Sequence, residues 1–351
     1  MNYQYLLRCL IYAKRVLSLR QLHCAVLAGF IFLALSGCNS IQVALGLKMR
    51  LADVPVTAIS TYLSPGPGLA PGKSAGLVIV TKTPDGKSLV TEGLGKGKVL
   101  FESFSFDPKI VQISKDGIVS LPADPRLSEG QLPQIHITTV GHEYVVTDLA
   151  IPVRYDASFD VDFSGGAGAN GFSGINGQDG TDGSMGSSDI NNPSAGGNGT
   201  NGSDGRDGDN GGAGAPGEAV HVWLRLKQGA HSLLQARVAG ASREHFFLID
   251  SDQGSLSVST NGGAGGSSGS GGRGGRGGFG GVGSPSGSNG LDGRNGSDGM
   301  SGPAGAGGTI VVSIDPLAKS FLHRLHFSNK GGDGKAGPKP DVRIESVPAI
   351  W

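Results

Sequence analysis

Cysteine, proline, aromatic side chains and net charge are all scarce in this 351-residue chain. The three cysteines are Cys9, Cys24 and Cys38, so nothing after residue 38 can form a disulfide, a thiolate metal site or a catalytic thiol. Lys plus Arg and Asp plus Glu balance at 29 each, which gives no sign of nucleic acid or of a strongly charged partner. Aromatic residues make up 6 %, too few to build a large conventional core throughout. There is no Gly-x-Ser-x-Gly elbow, no His-Glu-x-x-His and no phosphate loop with its Lys-Ser/Thr. The sequence therefore predicts no catalytic residue, no cofactor and no metal site. His323 and His326 are spaced to point to opposite faces of a strand, which argues against a shared metal.

What the chain has instead is glycine, 63 residues of it. In the tract 165–217, Gly falls at every third position from 165 to 186 and again from 196 to 217. In the tract 262–308 the same spacing runs over 262–283 and 287–308, except that Ser268 interrupts the first stripe. Each of these four legs is 22 residues long. The breaks are Ser187–Ala195 and Ser284–Ser286. Equal legs joined by short polar breaks predict two hairpins.

A period of three residues is that of polyproline or polyglycine II, which rises about 3.1 Å per residue and would make each leg roughly 65 Å long. Its glycines form a bare stripe that another leg can approach closely. Collagen shares the period. It is disfavoured by the imino content, since the legs contain only Pro216 and Pro303, and by breaks that suit a reversal of direction. A disordered linker is the third alternative, because low apolar content normally cannot offset the entropy of ordering. Leg three (262–283) reads Gly-Gly-x over Gly271–Val282, and two stripes predict a central place for it. A local irregularity is expected at Ser268. Elsewhere the residue before Gly is mostly Asn or Asp, as in Asp179, Asp182, Asn201, Asp204, Asp292 and Asn295, which reads as a solvated polar face. Repeats such as Asp204-Gly205-Arg206-Asp207-Gly208 invite a weak calcium reading, but the regular apolar residue of a calcium β-roll is missing. Arg273 and Arg276 are expected to cover a neighbouring leg or pair with its Asp stripe.

Residues 1–37 combine Arg8, Lys14, Arg15 and Arg20 with the apolar run Ala25–Leu35, a targeting segment too short for a comfortable membrane span. Leu35-Ser36-Gly37-Cys38 follows. It resembles the lipobox of bacterial lipoproteins. The resemblance implies cleavage before Cys38, lipidation of its thiol and a membrane anchor, and Asn39 after it implies the outer membrane. Residues 38–53 then read as a lipidated tether.

From 54 to 157 the composition becomes β-rich. Seven short apolar runs are separated by turn signals such as Asp85-Gly86 and Asp116-Gly117, which predicts a β-sandwich. The stretch Val111–Val119 resembles the strand–Asp-Gly–strand hairpin of bacterial Ig-like domains. Residues 158–351 hold an internal repeat. Strand exits read Phe163-Ser164-Gly165-Gly166-Ala167-Gly168, Thr260-Asn261-Gly262-Gly263-Ala264-Gly265 and Asn329-Lys330-Gly331-Gly332-Asp333-Gly334. Re-entries at Ala219–Leu224 and Thr309–Ile314 suggest excursions from one sheet and back. Further strands are expected at Leu233–Val238, Phe246–Ile249, Leu256–Thr260 and Phe321–Phe327.

The predicted fold is all-β: an Ig-like β-sandwich, then a β-sheet domain bearing polyglycine II hairpins as a Gly-rich bundle. The period-three tracts are similar to the polyglycine sandwiches of phage tail-fibre adhesins and to the Gly-x-y bundles of one arthropod antifreeze class. The adhesin resemblance implies recognition at the tips, here Asp189, Ile190, Asn191 and Asn192 with Ser284, Pro285 and Ser286; the alternative is plain solvent turns. The function expected is that of a lipid-anchored surface protein, structural or adhesive and not an enzyme, with a glycan or protein as ligand. A collagen-like trimer, an ice-binding protein and an enzyme of unrecognised type are the alternatives, and the oligomeric state stays open.

Overall fold

The computed structural model describes residues 39–229 and 231–351; the targeting segment and Cys38 lie outside them. The fold is all-β, and the chain divides into two compact units. Of the described residues, one unit contains those from 39 to 123 together with Leu127–Arg154; the other contains Asp124–Arg126 and those from Tyr155 to Trp351.

In the first unit, a sheet is built from β1 (Ala58–Ser64), β2 (Ser74–Lys82), β3 (Ser88–Val90), β5 (Gln112–Ile113) and β6 (Ile118–Ser120). A second contains β4 (Phe104–Lys109), β7 (Gln134–Thr139) and β8 (His142–Ala150). All their pairings are antiparallel. Leu77 and Ile79 of the first sheet share one buried cluster with Ile135 and Ile137 of the second. Two apolar sheet faces closing on each other account for the cooperative core of this unit.

The expected tether is in part a piece of this unit. After a short helix α1 (Asn39–Ala44), Met49 donates to Lys98 O at 2.9 Å, and Leu51 is fully buried in the cluster. The apolar Leu51 is drawn into the core because leaving it in water would forfeit on the order of 2 kcal/mol.

The second unit has two sheets rather than the single one expected. A parallel sheet contains β9 (Ser158–Asp162), β13 (Ser255–Ser259) and β15 (Leu325–Ser328). A larger sheet contains β10 (Val220–Lys227), β11 (Leu233–Ala239), β12 (Glu244–Asp250), β14 (Ile310–Ile314) and β16 (Asp341–Ile344). Each glycine excursion leaves from the first and returns into the second. The exits of β9 and β13 lead into the hairpins, and β10 and β14 receive them; β15 and β16 flank the short third excursion. Two apolar faces are covered this way, and the ring of Phe159 on β9 lies 5.7 Å from that of Phe247 on β12. On β10, Val220, Val222 and Leu224 are buried while His221, Trp223 and Arg225 alternate outward, as the period of two requires.

The stretch Phe321–Phe327 is not one strand. Pro316–Arg324 forms a 3-10 segment whose start is capped by Asp315, and only Leu325–Ser328 is extended. Pro at the first helical position and an Asp before it are the local cause. His323 therefore lies in a helical turn, with Nδ1 2.9 Å from Ser320 O, and the strand-based reasoning for it does not apply.

A candidate binding surface on the glycine rod

The four glycine legs form one hydrogen-bonded bundle. Leg one (165–186) runs parallel to leg three: Gly165 N–H donates to Asn261 O, and the series continues every third residue to Gly186 and Val282 O, at 2.7–2.8 Å. Leg two (196–217) runs parallel to leg four (287–308) through the series from Gly196 to Pro285 O to Gly217 to Ala306 O. Antiparallel series join leg two to leg one, leg three to leg two, and leg four to leg three. Successive residues thus bond to different neighbours, which is the three-fold pattern of polyglycine II.

Register passes from sheet to rod without a break. Ser158 and Ser255 on β9 and β13 are 97 residues apart, as are Asn176 and Arg273 far along the legs. Ser288 and Asn198 are 90 apart, the offset that pairs Val220 with Ile310 on β10 and β14. The parallel strand pairs β9–β13 and β10–β14 are templates for the parallel leg pairs.

Legs two and three both occupy the centre, each bonded to the other three legs. The expectation of one central leg linked neighbour number to glycine stripes. Backbone donors and acceptors, however, point between the stripes, so leg two needs only one stripe. Ser268 causes no irregularity either, because Gly266, Gly269 and Gly272 continue their bonds to leg two unbroken. The interior is backbone against backbone. A Cβ on Gly278 would stand 2.1 Å from Thr181 O, and one on Gly277 2.2 Å from Gly290 O.

The Asx rows do more than face water. Asn176, Asp179 and Asp182 of leg one accept the amides of Arg273, Arg276 and Phe279 at 2.7–2.8 Å. Asn289, Asp292, Asn295 and Asp298 of leg four accept those of Gly280, Gly277, Gly274 and Gly271 at 2.8–2.9 Å. Together with the carbonyls of leg two, they give every amide from Gly271 to Gly281 an acceptor on another leg. Asp204 and Asp207 likewise accept from Arg294 and Ser297, both at 2.6 Å. Without the rows on legs one and four, two amides in three along Gly271–Gly281 would have no acceptor within the rod, since backbone carbonyls of leg two take only those of Gly272, Gly275, Gly278 and Gly281. Asn and Asp at that position supply the missing acceptors. Sequence spacing carried this signal, since Asx recurs one residue before Gly on the neighbours of the Gly-Gly-x leg.

The two tips are brought together. Ser284 N–H donates to Ser194 O and Gly196 N–H to Pro285 O, both at 2.9 Å. Within the longer tip, Asp189 Oδ1 accepts from Asn191 N–H at 2.9 Å, and Asp189 O from Asn192 N–H at 3.1 Å. Asp189, Ile190, Asn191, Asn192, Ser284, Pro285 and Ser286 are all exposed, Ile190 at 94 %. At the base, Ser164 holds the Asp162 carboxyl below its usual range, and Ser242 does the same for Glu218 at the re-entry. Lys330 and Gly332 add the start of a fifth leg, bonded to Gly262 and Gly305.

Phe172, Ile175, Met185, Ile190, Phe279, Val282, Leu291 and Met300 are every large apolar side chain of the rod, and all stand outside, 60–94 % exposed. Among the described residues, Arg273 and Arg276 make no ion pair to the Asp rows on either side of leg three, so the expected pairing with an Asp stripe is not seen. Among the described residues, no group of three His, Cys, Asp or Glu is placed to hold a metal. On the larger sheet, Ser313 Oγ donates to Glu345 and lies 2.8 Å from His221 Nε2. The serine stands between acid and imidazole and is 1 % exposed, so the imidazole is not placed between it and the acid to relay its proton. No family model, curated protein or solved structure matches this chain.

Proposed function

We propose that this protein is a lipid-anchored surface protein, held in a membrane through acylated Cys38, whose rigid glycine-cored rod is a structural or adhesive contact element. One observation carries the reading: the rod keeps its large apolar side chains outside. Its interior consists of glycine backbone, so Phe172, Phe279 and their like contribute nothing to its folding. Exposed apolar groups on a framework that does not need them mark a contact surface. The joined tips, with Ile190 foremost, are the farthest part of that surface from the sheets along the chain. Antiparallel bonding within a single chain supports a rod over a collagen-like trimer, which needs parallel chains. A protein with this role performs no catalysis, and the ligand is a protein or glycan on a facing surface.

Two substitutions test the reading. Cys38→Ala should abolish acyl labelling and release the protein from the membrane fraction. Unchanged labelling and fractionation would remove the anchor. Ile190→Ser should weaken attachment of particles coated with the protein to a target surface while leaving its melting unchanged; attachment equal to wild type would remove the tip.

A further inference from the structure

We infer a second binding site, at the end of the larger sheet away from the rod: a pocket for a single sugar unit that carries a carboxylate. Legs two and four feed into β10 and β14 at Val220 and Ile310, and the pocket lies where those two strands end. Arg225 and Gln228 border it from the end of β10, Gln235 from the start of β11, and Asp315 and Leu317 from the turn after β14. Trp351 closes another side, with its ring 5.8 Å from that of Phe246. Arg225 and Gln235 are directly opposite in the β10–β11 register, so their side chains stand on one face of the sheet. The cavity measures about 390 Å³, within the range of about 300–1,000 Å³ usual for small-molecule sites.

Two side chains in the pocket lack a protein partner. Gln235 is only 3 % exposed, yet its side-chain amide makes no hydrogen bond among the described residues. The half-buried Arg225 guanidinium makes neither a hydrogen bond nor an ion pair among them. A buried amide without a partner is costly, and a ligand that pairs with it removes that cost. The partners that fit follow from the donors and acceptors present. A guanidinium presents paired N–H donors that match a carboxylate. The Gln235 amide offers both a donor and an acceptor, which suits a hydroxyl. Asp315 uses Oδ1 to accept from Leu317 N–H at 3.0 Å, which leaves Oδ2 to accept from a second hydroxyl. Leu317 and Trp351 supply an apolar wall for the C–H groups of a ring. A neutral sugar would leave Arg225 uncompensated, and a phosphate would bring added negative charge to Asp315. A sugar with one carboxylate satisfies all four groups.

Calorimetric titration of the full chain with Cys38→Ala, in detergent, tests the inference with glucuronate, galacturonate and N-acetylneuraminate as probes. At least one should bind saturably with one site per chain, and glucose and inorganic phosphate should bind about tenfold more weakly or not at all. Arg225→Gln should weaken the acidic sugar about tenfold or more and bring it level with glucose, because only the carboxylate is lost as a partner. Gln235→Leu should weaken acidic and neutral sugars alike. Arg294→Gln, which removes an exposed arginine from leg four of the rod, should leave binding unchanged. Melting curves check that each variant folds, and Arg225, being only half-buried, carries the test if Gln235→Leu does not. Saturable binding by none of the three acidic sugars, phosphate binding as tight as theirs, or an affinity for the acidic sugar that Arg225→Gln leaves intact would each overturn the pocket. The site is separate from the rod, so none of these results bears on the anchored rod.

Discussion

The sheets and the rod bury opposite things. In β2 and β7, alternate positions send Ile79, Ile135 and Ile137 inward, and the space between the sheets is filled by side chains. In the rod every third position sends nothing inward, and the space is filled by carbonyls and amides of the next leg. The first arrangement is stabilised mainly by removing apolar area from water. The second rests on hydrogen bonds worth individually about 0.5–1.5 kcal/mol, made dense by close approach. The two regions should therefore respond to substitution in opposite senses: sheets fail when atoms are removed, and the rod fails when atoms are added.

The largest effect is expected from Ile137→Ala. Emptying a fully buried site should cost about 2–5 kcal/mol, read from the urea unfolding of the first unit. A cost below about 1 kcal/mol would mean the sheets do not depend on side-chain packing. Gly278→Ala adds a single methyl where Thr181 O stands 2.1 Å away. It should destabilise the rod by about 1–3 kcal/mol through overpacking, and wild-type melting would mean the legs are not in contact. Asp292→Val should cost about 0.5–1.5 kcal/mol because the Gly277 amide loses its acceptor, while Asp292→Asn keeps it. Equal melting of the two variants would restore the purely solvated reading of that row.

A smaller effect concerns pH. Burial holds the His221 imidazole below its usual range, opposed by Glu345 and reinforced by Arg343 and Arg237. Burial and Arg243 also lower His245. A depressed folded-state value means that the unfolded chain takes up protons first. Stability should be complete above about pH 6.5 and decline as pH falls below it toward the folded-state values. Urea midpoints at neutral and mildly acidic pH measure this, and His221→Gln should flatten the decline. A slope unchanged in that variant assigns the effect elsewhere. Smallest of all, Phe279→Ala should shift rod stability by no more than about 0.5 kcal/mol, in contrast to Ile137. A larger loss would show that Phe279 packs within its own rod.

Much of the architecture was legible because its periods are strict. Gly at every third position defined four equal legs, and the exits at Phe163, Thr260 and Asn329 defined the repeat. The role of the Asx rows was not legible from one leg at a time, because each Asn or Asp serves an amide roughly 10 to 100 residues away and its partner depends on the register between legs. The division into two sheets was hidden for a similar reason. An exit strand and a re-entry strand look alike in hydropathy, and only pairing of β9 with β13 and of β10 with β14 tells them apart. At the tips, spacing alone located Ser187–Ala195 and Ser284–Ser286.

Amide hydrogen exchange along leg three is the most direct measurement. If the rod is a bundle held by its backbone, every amide from Gly271 to Gly281 should exchange slowly, including those bonded only to Asn or Asp side chains. Exposed tip residues such as Ile190 should exchange at the rate of an open chain. Protection confined to one residue in three would deny the Asx rows their role. Uniform rapid exchange across 271–281, in a protein whose sheets remain protected, would contradict the bundle itself.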